Sequence, residues 1–195
     1  GLFKITGSLF GLQYRKVDNP SVWHADVTMY EVIDNNSGDL KGRFYMDLYP
    51  RPHKYKHAAE FTIISGKRIG DAYQLPVASL VCNFPKPSES YPSLLSHEDA
   101  ETFFHEFGHL IHEMFSKTEL MSQSGTDVAM DFVETPSQVI ENWVWKKETL
   151  NIFAKHYKTM ETIPDSLIDN MIEMRNFQSG NNLLQQIFYG MIDLT

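Results

Sequence analysis

The chain has 195 residues, of which 42% are hydrophobic and 22% are charged, and its formal net charge is −8. This length and composition suit one folded globular domain and argue against disorder. The negative charge argues against nucleic acid as a partner, and no apolar run approaches the roughly 20 residues that a membrane span needs.

Cys82 is the only cysteine, so an internal disulfide is impossible. With no recognisable secretory signal, this predicts a reducing compartment, the cytoplasm. The neighbouring residues, VASLVCNF, indicate a buried strand thiol rather than a reactive one. Both ends of the sequence lie within patterned segments, so we expect residues 1–195 to be a single fragment of a longer protein.

Alternating apolar and polar residues predict strands in the first half of the chain. Residues 25–34 (ADVTMYEVID) and 40–50 (LKGRFYMDLYP) flank the turn sequence NNSG, which predicts a hairpin. Residues 58–64 (AAEFTII) and 75–84 (LPVASLVCNF) predict two more strands. The last of these is either a buried strand or an edge strand, and an edge strand would bind an extended peptide through backbone hydrogen bonds.

The Pro- and Ser-rich residues 85–93 mark a change to helical patterns. Ser96 followed by Asp99 resembles a capping box and predicts a helix that begins near His97. Apolar residues at helical spacing continue over residues 138–157, 165–177 and 181–192. The sequence therefore predicts an α+β fold, with a small sheet in residues 1–95 followed by a helical layer in residues 96–195.

The first predicted helix contains HEFGH, residues 105–109, which matches the pattern H-E-x-x-H. On a helix, His105 and His109 lie one turn and about 6 Å apart, so both imidazoles can reach one zinc ion. Glu106 lies beside them, where it can take a proton from a zinc-activated water. Histidines on apolar helices are often structural, so this pattern needs a third metal ligand to support it.

Two residues are candidates for the third ligand. His112 lies about 10 Å from His105 along the helix axis, too far to share one ion, and we interpret it as a packing or hydrogen-bonding residue. Glu134 lies in an apolar setting two residues before Pro136, either just before a helix or at a kink. From the residues alone, Glu134 is as easily an acid at a helix start as a ligand.

The segments FFHEFGHLIHEMFS (103–116) and DFVETPSQVIENWVW (131–145), with the spacing between them, resemble the thimet oligopeptidase family of zinc metallopeptidases. Upstream segments such as GRFYMDLYPRPHKYKHAAEF also resemble this family, so the similarity covers nearly the whole chain. The resemblance implies part of a larger, mainly helical zincin-like metallopeptidase whose flanking regions are absent here.

Carried over by position, the resemblance implies one zinc ion per chain, held by His105, His109 and Glu134, with Glu106 as the general base. Glu101 and Glu141 are two further acids that can accept the free ring N–H of a zinc histidine. A plain surface or ion-pair role suits each of them equally well.

The leading functional hypothesis is a cytoplasmic zinc oligopeptidase that hydrolyses internal bonds of short peptides. Family members carry a loop with Tyr and His residues beyond the last residue here, and that loop stabilises the oxyanion. The resemblance therefore implies weak or no activity for this chain alone.

Three alternatives stay open. One is a peptidyl-dipeptidase that releases C-terminal dipeptides with the same catalytic groups. Another is a metal- or peptide-binding fragment without turnover, and the third is a structural helical domain whose motif is accidental. We also expect self-association, because Leu183, Leu184 and Ile187 belong to an apolar surface that the missing regions would normally cover.

Overall fold

The computed structural model describes residues 1–177 and 179–194, in which a sheet-rich part precedes a helical part. The strands are β1 (Leu12–Lys16), β2 (Thr28–Asp34), β3 (Leu40–Asp47), β4 (Ala59–Ile64), β5 (Lys67–Ile69), β6 (Ala72–Gln74) and β7 (Val77–Val81). The helices are α1 (Leu2–Phe10), α2 (His97–Phe115), α3 (Thr135–Glu141), α4 (Lys147–Phe153), α5 (Asp165–Asn176) and α6 (Ser179–Asp193). The predicted order of sheet and helices is confirmed.

The main sheet has the strand order β1-β2-β3-β7-β4. Strands β2 and β3 form the predicted antiparallel hairpin, β7 runs parallel to β3, and β4 runs antiparallel to β7. The strand predicted from LPVASLVCNF is therefore interior, and its interpretation as an edge strand is wrong. A strand covered on both faces buries consecutive residues, and Leu80 and Val81, which point to opposite faces, are both buried. The terminal strand on this side is β4.

Helix α1 was not predicted from the sequence. Leu2, Ile5 and Thr6 form its buried face, at the spacing of an amphipathic helix. The helix ends at Gly11, whose φ of 65° is the left-handed conformation that glycine adopts without steric cost. The helix thus closes the start of the chain over the sheet, next to β1.

Helix α2 crosses the sheet and begins at the predicted capping box. The Ser96 hydroxyl accepts the Asp99 backbone N–H, and the Asp99 carboxylate accepts the Ser96 N–H. Phe107, fully buried, packs its ring against Phe44 of β3 and Tyr14 of β1, at centroid distances of 5.7 Å. Burying an aromatic side chain of this kind contributes about 1.5–3 kcal/mol. This contact fixes one face of α2 on the sheet, while His105 and His109 lie on a different face of the helix.

Asp47, at the end of β3, is 2% exposed and gathers three donors. Arg51 donates to both of its oxygens, Trp23 donates its indole N–H, and the Lys54 ammonium lies 2.9 Å away. Burial alone would raise the pKa of Asp47, but these hydrogen bonds outweigh it and lower the pKa to about 2. Lys54 also donates to the carbonyl of Cys82, so the loop after β3 is tied to the end of β7.

Cys82 is free and buried, and burial raises the pKa of its thiol to about 12. This environment agrees with the predicted buried, unreactive thiol, although Cys82 lies one residue after β7 rather than in the strand. Within residues 1–177 and 179–194, no helix combines the length and apolar character needed to cross a membrane.

The helical segment predicted at residues 138–157 is interrupted in the structure. Helix α3 ends at Glu141, a 3₁₀ turn spans Asn142–Trp145, and α4 follows. Helix α6 has no buried residue, and Leu184 on it is 64% exposed. The apolar surface predicted for this part of the chain is therefore exposed.

Candidate metal centre

His105 and His109 lie on the face of α2 that turns away from the aromatic core. Their Nε2 atoms are 3.2 Å apart, and both side chains are partly buried. Burial lowers the pKa of His109, which favours the neutral imidazole that a metal ligand must be.

Glu134 occupies the N-cap position of α3, and Pro136 lies in the first turn of that helix. Of the two placements that the sequence allowed, the structure has the one just before a helix. Its Oε2 atom lies 3.2 Å from the Nε2 of His105 and 3.2 Å from the Nε2 of His109. The structure thus brings all three predicted ligands together.

Ser137 holds the Glu134 carboxylate in this position, and sequence reasoning did not identify it. Its hydroxyl lies 2.9 Å from both the backbone carbonyl and the Oε2 atom of Glu134. A serine three residues after an N-cap acid is the sequence signal that would have identified it.

The three donor atoms fit a zinc ion. Ligands placed tetrahedrally at zinc–nitrogen and zinc–oxygen distances of about 2.0–2.1 Å are separated from each other by about 3.3–3.4 Å. The three donor separations here are all 3.2 Å. Two imidazoles and one carboxylate also form a donor set that catalytic zinc sites use.

The two acids that the sequence left undecided have different partners. The Nδ1 atom of His105 lies 2.5 Å from Glu141 Oε1, so the ring N–H donates to this carboxylate. That bond places the proton on Nδ1 and leaves the Nε2 lone pair free for a metal. Glu101 instead accepts the indole N–H of Trp145 and lies 3.9 Å from Arg175.

Glu106 is buried on the side of α2 that faces β4. Its Oε2 atom accepts the backbone N–H of Glu60 at 2.8 Å. Burial is the main cause that raises the pKa of Glu106; Glu134 adds to it, while His105 and the Glu60 N–H oppose it. A carboxylate whose pKa is raised in this way is a better proton acceptor.

Gly108 allows α3 to approach α2 closely enough for Glu134 to reach the histidines. A Cβ atom at this position would lie 2.5 Å from the Cα of Ser137 and 3.1 Å from the carbonyl oxygen of Pro136. Because these neighbours are backbone atoms, only a shift of the whole helix would make room.

His112 does not join the donor atoms. It lies beside Phe132, with ring centroids 6.0 Å apart, and burial lowers its pKa. This environment agrees with the predicted packing role.

Sequence comparisons identify the family of the chain. The sequence model of peptidase family M3 matches residues 1–195. The chain is 41% identical to a thimet-like oligopeptidase of Dictyostelium discoideum over 99% of its own length. It is 38% identical to oligopeptidase A of Escherichia coli over 99% of its length, and 40% identical to saccharolysin of Saccharomyces cerevisiae over its full length.

The chain spans only 28–29% of the length of these curated relatives. The matched part nevertheless includes every residue described above, from the edge strand β4 to the donor atoms of α2 and α3. By this match over its whole length, the chain belongs to peptidase family M3.

Proposed function

We propose that this chain is the zinc-binding core of a metallopeptidase that hydrolyses internal bonds of short peptides. His105, His109 and Glu134 hold one zinc ion, and Glu106 is the general base. The observation that carries the proposal is the convergence of three donor atoms that lie 3.2 Å from one another. The buried carboxylate of Glu106 directly follows one of these ligands, His105, in the chain. The family membership supports peptide-bond hydrolysis as the reaction.

A zinc ion held there would supply Lewis acidity, which lowers the pKa of a water molecule and polarises a peptide carbonyl. The Glu60 N–H occupies Glu106 Oε2, so Glu106 Oε1 is the atom that accepts the proton of the attacking water. The water oxygen bonds to the carbonyl carbon, the C–N bond breaks, and Glu106 passes the proton to the leaving nitrogen. Glu141 keeps the proton of His105 on Nδ1 throughout.

Strand β4 is the proposed binding site for the peptide backbone. It is terminal in the main sheet, so one of its edges faces away from β7. It also contacts helix α2, because the Glu60 N–H donates to Glu106. An extended peptide that pairs with this edge would bind mainly through backbone groups, which suits a broad range of sequences.

Zinc content and turnover test the proposal. After dialysis against metal-free buffer, elemental analysis should give about one zinc per chain, and His109→Ala should lose it. Glu106→Gln should keep the zinc and lower kcat for a fluorogenic peptide by about 10²–10⁴-fold. No zinc in the wild-type chain, or equal turnover by Glu106→Gln, would contradict the assignment.

A second candidate is metal and peptide binding without turnover. It is favoured because the chain spans only 28–29% of the length of its relatives. Peptide affinity measured by calorimetry in the absence of product formation would support it. If products form, mass spectrometry separates internal cleavage from the release of C-terminal dipeptides.

A further inference from the structure

A group of acids lies between the edge strand β4 and helix α2; Glu106 and Glu113 are buried, and Glu60 is partly buried. Glu60 of β4 faces Glu106 and Glu113 of α2, and Glu113 is fully buried. The hydroxyl of Thr62, also on β4, faces both Glu60 and Glu113. None of these acids has a salt-bridge partner in the described part of the chain.

Glu113 is held by other groups of the protein. The backbone N–H groups of Gly66 and Thr126 donate to its carboxyl, and the Thr62 hydroxyl lies 3.4 Å from its Oε2. Gly125 packs so closely on this carboxyl that a Cβ atom there would overlap it. The position of the Glu113 carboxyl is therefore fixed by its neighbours, and Glu60 is the acid whose position or protonation can change.

Glu60 has fewer stabilising contacts. Its Oε1 atom is buried and has no hydrogen-bond partner among the described residues, and the same is true of Glu113 Oε1. Burial first, and then the charges of Glu113 and Glu106, raise the pKa of Glu60 to about 8, while the Thr62 hydroxyl opposes this. Neighbouring buried carboxylates repel each other, whereas a neutral carboxylic acid can donate its O–H to a neighbouring oxygen.

We propose that Glu60 is a positioning residue for Glu106: as a neutral acid it holds β4 against α2, so that its own backbone N–H stays bonded to Glu106 Oε2. This inference rests on the proposed function for its catalytic consequence. The structural link itself is the 2.8 Å bond from the Glu60 N–H to Glu106. An ionised Glu60 would be repelled by Glu106 and Glu113, the two titratable groups of α2 that face it.

The docking of β4 on α2 should weaken as the pH rises, because docking raises the pKa of Glu60. When β4 is docked, Glu60 titrates near pH 8, and when β4 is released it titrates near the ordinary value of 4.5. Docking is therefore strongest below about pH 4.5, weakens by up to about tenfold per pH unit between these two values, and levels off above pH 8. A permanently neutral side chain at position 60 removes this dependence.

Amide hydrogen exchange measured by NMR tests the proposal without requiring turnover. Between pH 5.5 and 7.5, the protection factor of the residue-60 amide should fall in the wild-type chain by up to about 100-fold relative to its value in Glu60→Gln. Glu60→Ala should give low protection at every pH, since it keeps the backbone N–H but removes the carboxyl group that lies near Glu106 and Glu113. The exposed Glu173→Gln should behave as the wild type and serves as the matched control.

The same pH profile in the wild type and in Glu60→Gln would overturn the positioning role. Zinc content and turnover measured on these variants keep this result separate from the proposed function. We expect Glu60→Ala to retain zinc and KM but to lose about tenfold or more in kcat, and Glu60→Gln to restore kcat. An absence of zinc or turnover in every variant would contradict the proposed function, while the exchange profile would still decide the role of Glu60.

Discussion

The two ring nitrogens of His105 have different partners, and this difference determines which of them is available to a metal. Nδ1 donates to Glu141, while Nε2 points to His109 and Glu134. A carboxylate behind a metal-binding histidine fixes the ring orientation and increases the basicity of the nitrogen that binds the metal.

Glu141→Ala should weaken zinc binding by about 10–100-fold, because His105 loses the acceptor that fixes its tautomer. Competition with a chromogenic chelator measures the change. Glu101→Ala is the matched control, since Glu101 bonds to Trp145 rather than to a histidine. Equal weakening by both substitutions would show that the effect is one of general stability.

At the scale of residues, the sequence predicted what depends on local spacing. His105, Glu106 and His109 lie within one helical turn, so the helix alone brings them together. The choice between Glu101 and Glu141 depends on how α3 packs on α2, which no local pattern specifies. The bond from Glu60 to Glu106 uses a backbone N–H, and a backbone donor leaves no signature in the sequence.

At the scale of elements, the close approach of α2 and α3 builds the candidate metal centre. Glycine in a helix costs roughly 1 kcal/mol relative to alanine, so a glycine inside α2 needs a packing reason. Gly108 has one, because the backbone of Pro136 and Ser137 occupies the space where its Cβ would lie.

Gly108→Ala should therefore lower zinc affinity by about tenfold or more, although alanine favours the helix, because α3 and Glu134 must move outward. Isothermal titration with zinc measures the affinity, and circular dichroism checks that the fold is retained. Gly190→Ala in α6, where a Cβ atom would meet open space, is the control and should leave zinc affinity unchanged. Unchanged affinity in Gly108→Ala would contradict this account of the helix contact.

The elements themselves were predictable where their signals are local. The β2–β3 hairpin and the capping box at Ser96 depend on neighbouring residues, and both were predicted correctly. The position of β7 between β3 and β4 was not, because strand order depends on contacts between distant residues. Helix α1 was missed, since its buried face has few residues over a short length.

At the scale of the whole molecule, α6 is the element with the least support from the rest of the structure. Its exposed apolar residues include Leu183, Leu184, Ile187 and Phe188. An exposed apolar patch of this kind commonly mediates association, and the net charge of −8 opposes association only weakly at physiological salt.

The chain should therefore self-associate, and its molar mass by light scattering should rise with protein concentration. The double substitution Leu184→Glu and Ile187→Glu should reduce this rise, because it places two charges within the apolar surface. Asn182→Glu with Gln186→Glu adds the same charge to the opposite face of the same helix and is the control. A monodisperse monomer at high concentration would contradict the prediction.

The strand order also sets a sequence of events during synthesis. Strand β4 is made before β7, yet β7 is its partner in the sheet, as the described residues show. A nascent chain that ends before residue 81 therefore carries Phe61, Ile63 and Ile64 on a strand that has no place to pair. Unpaired apolar strands are prone to aggregate, so we expect a chain released before β7 is complete to aggregate more readily than the full chain.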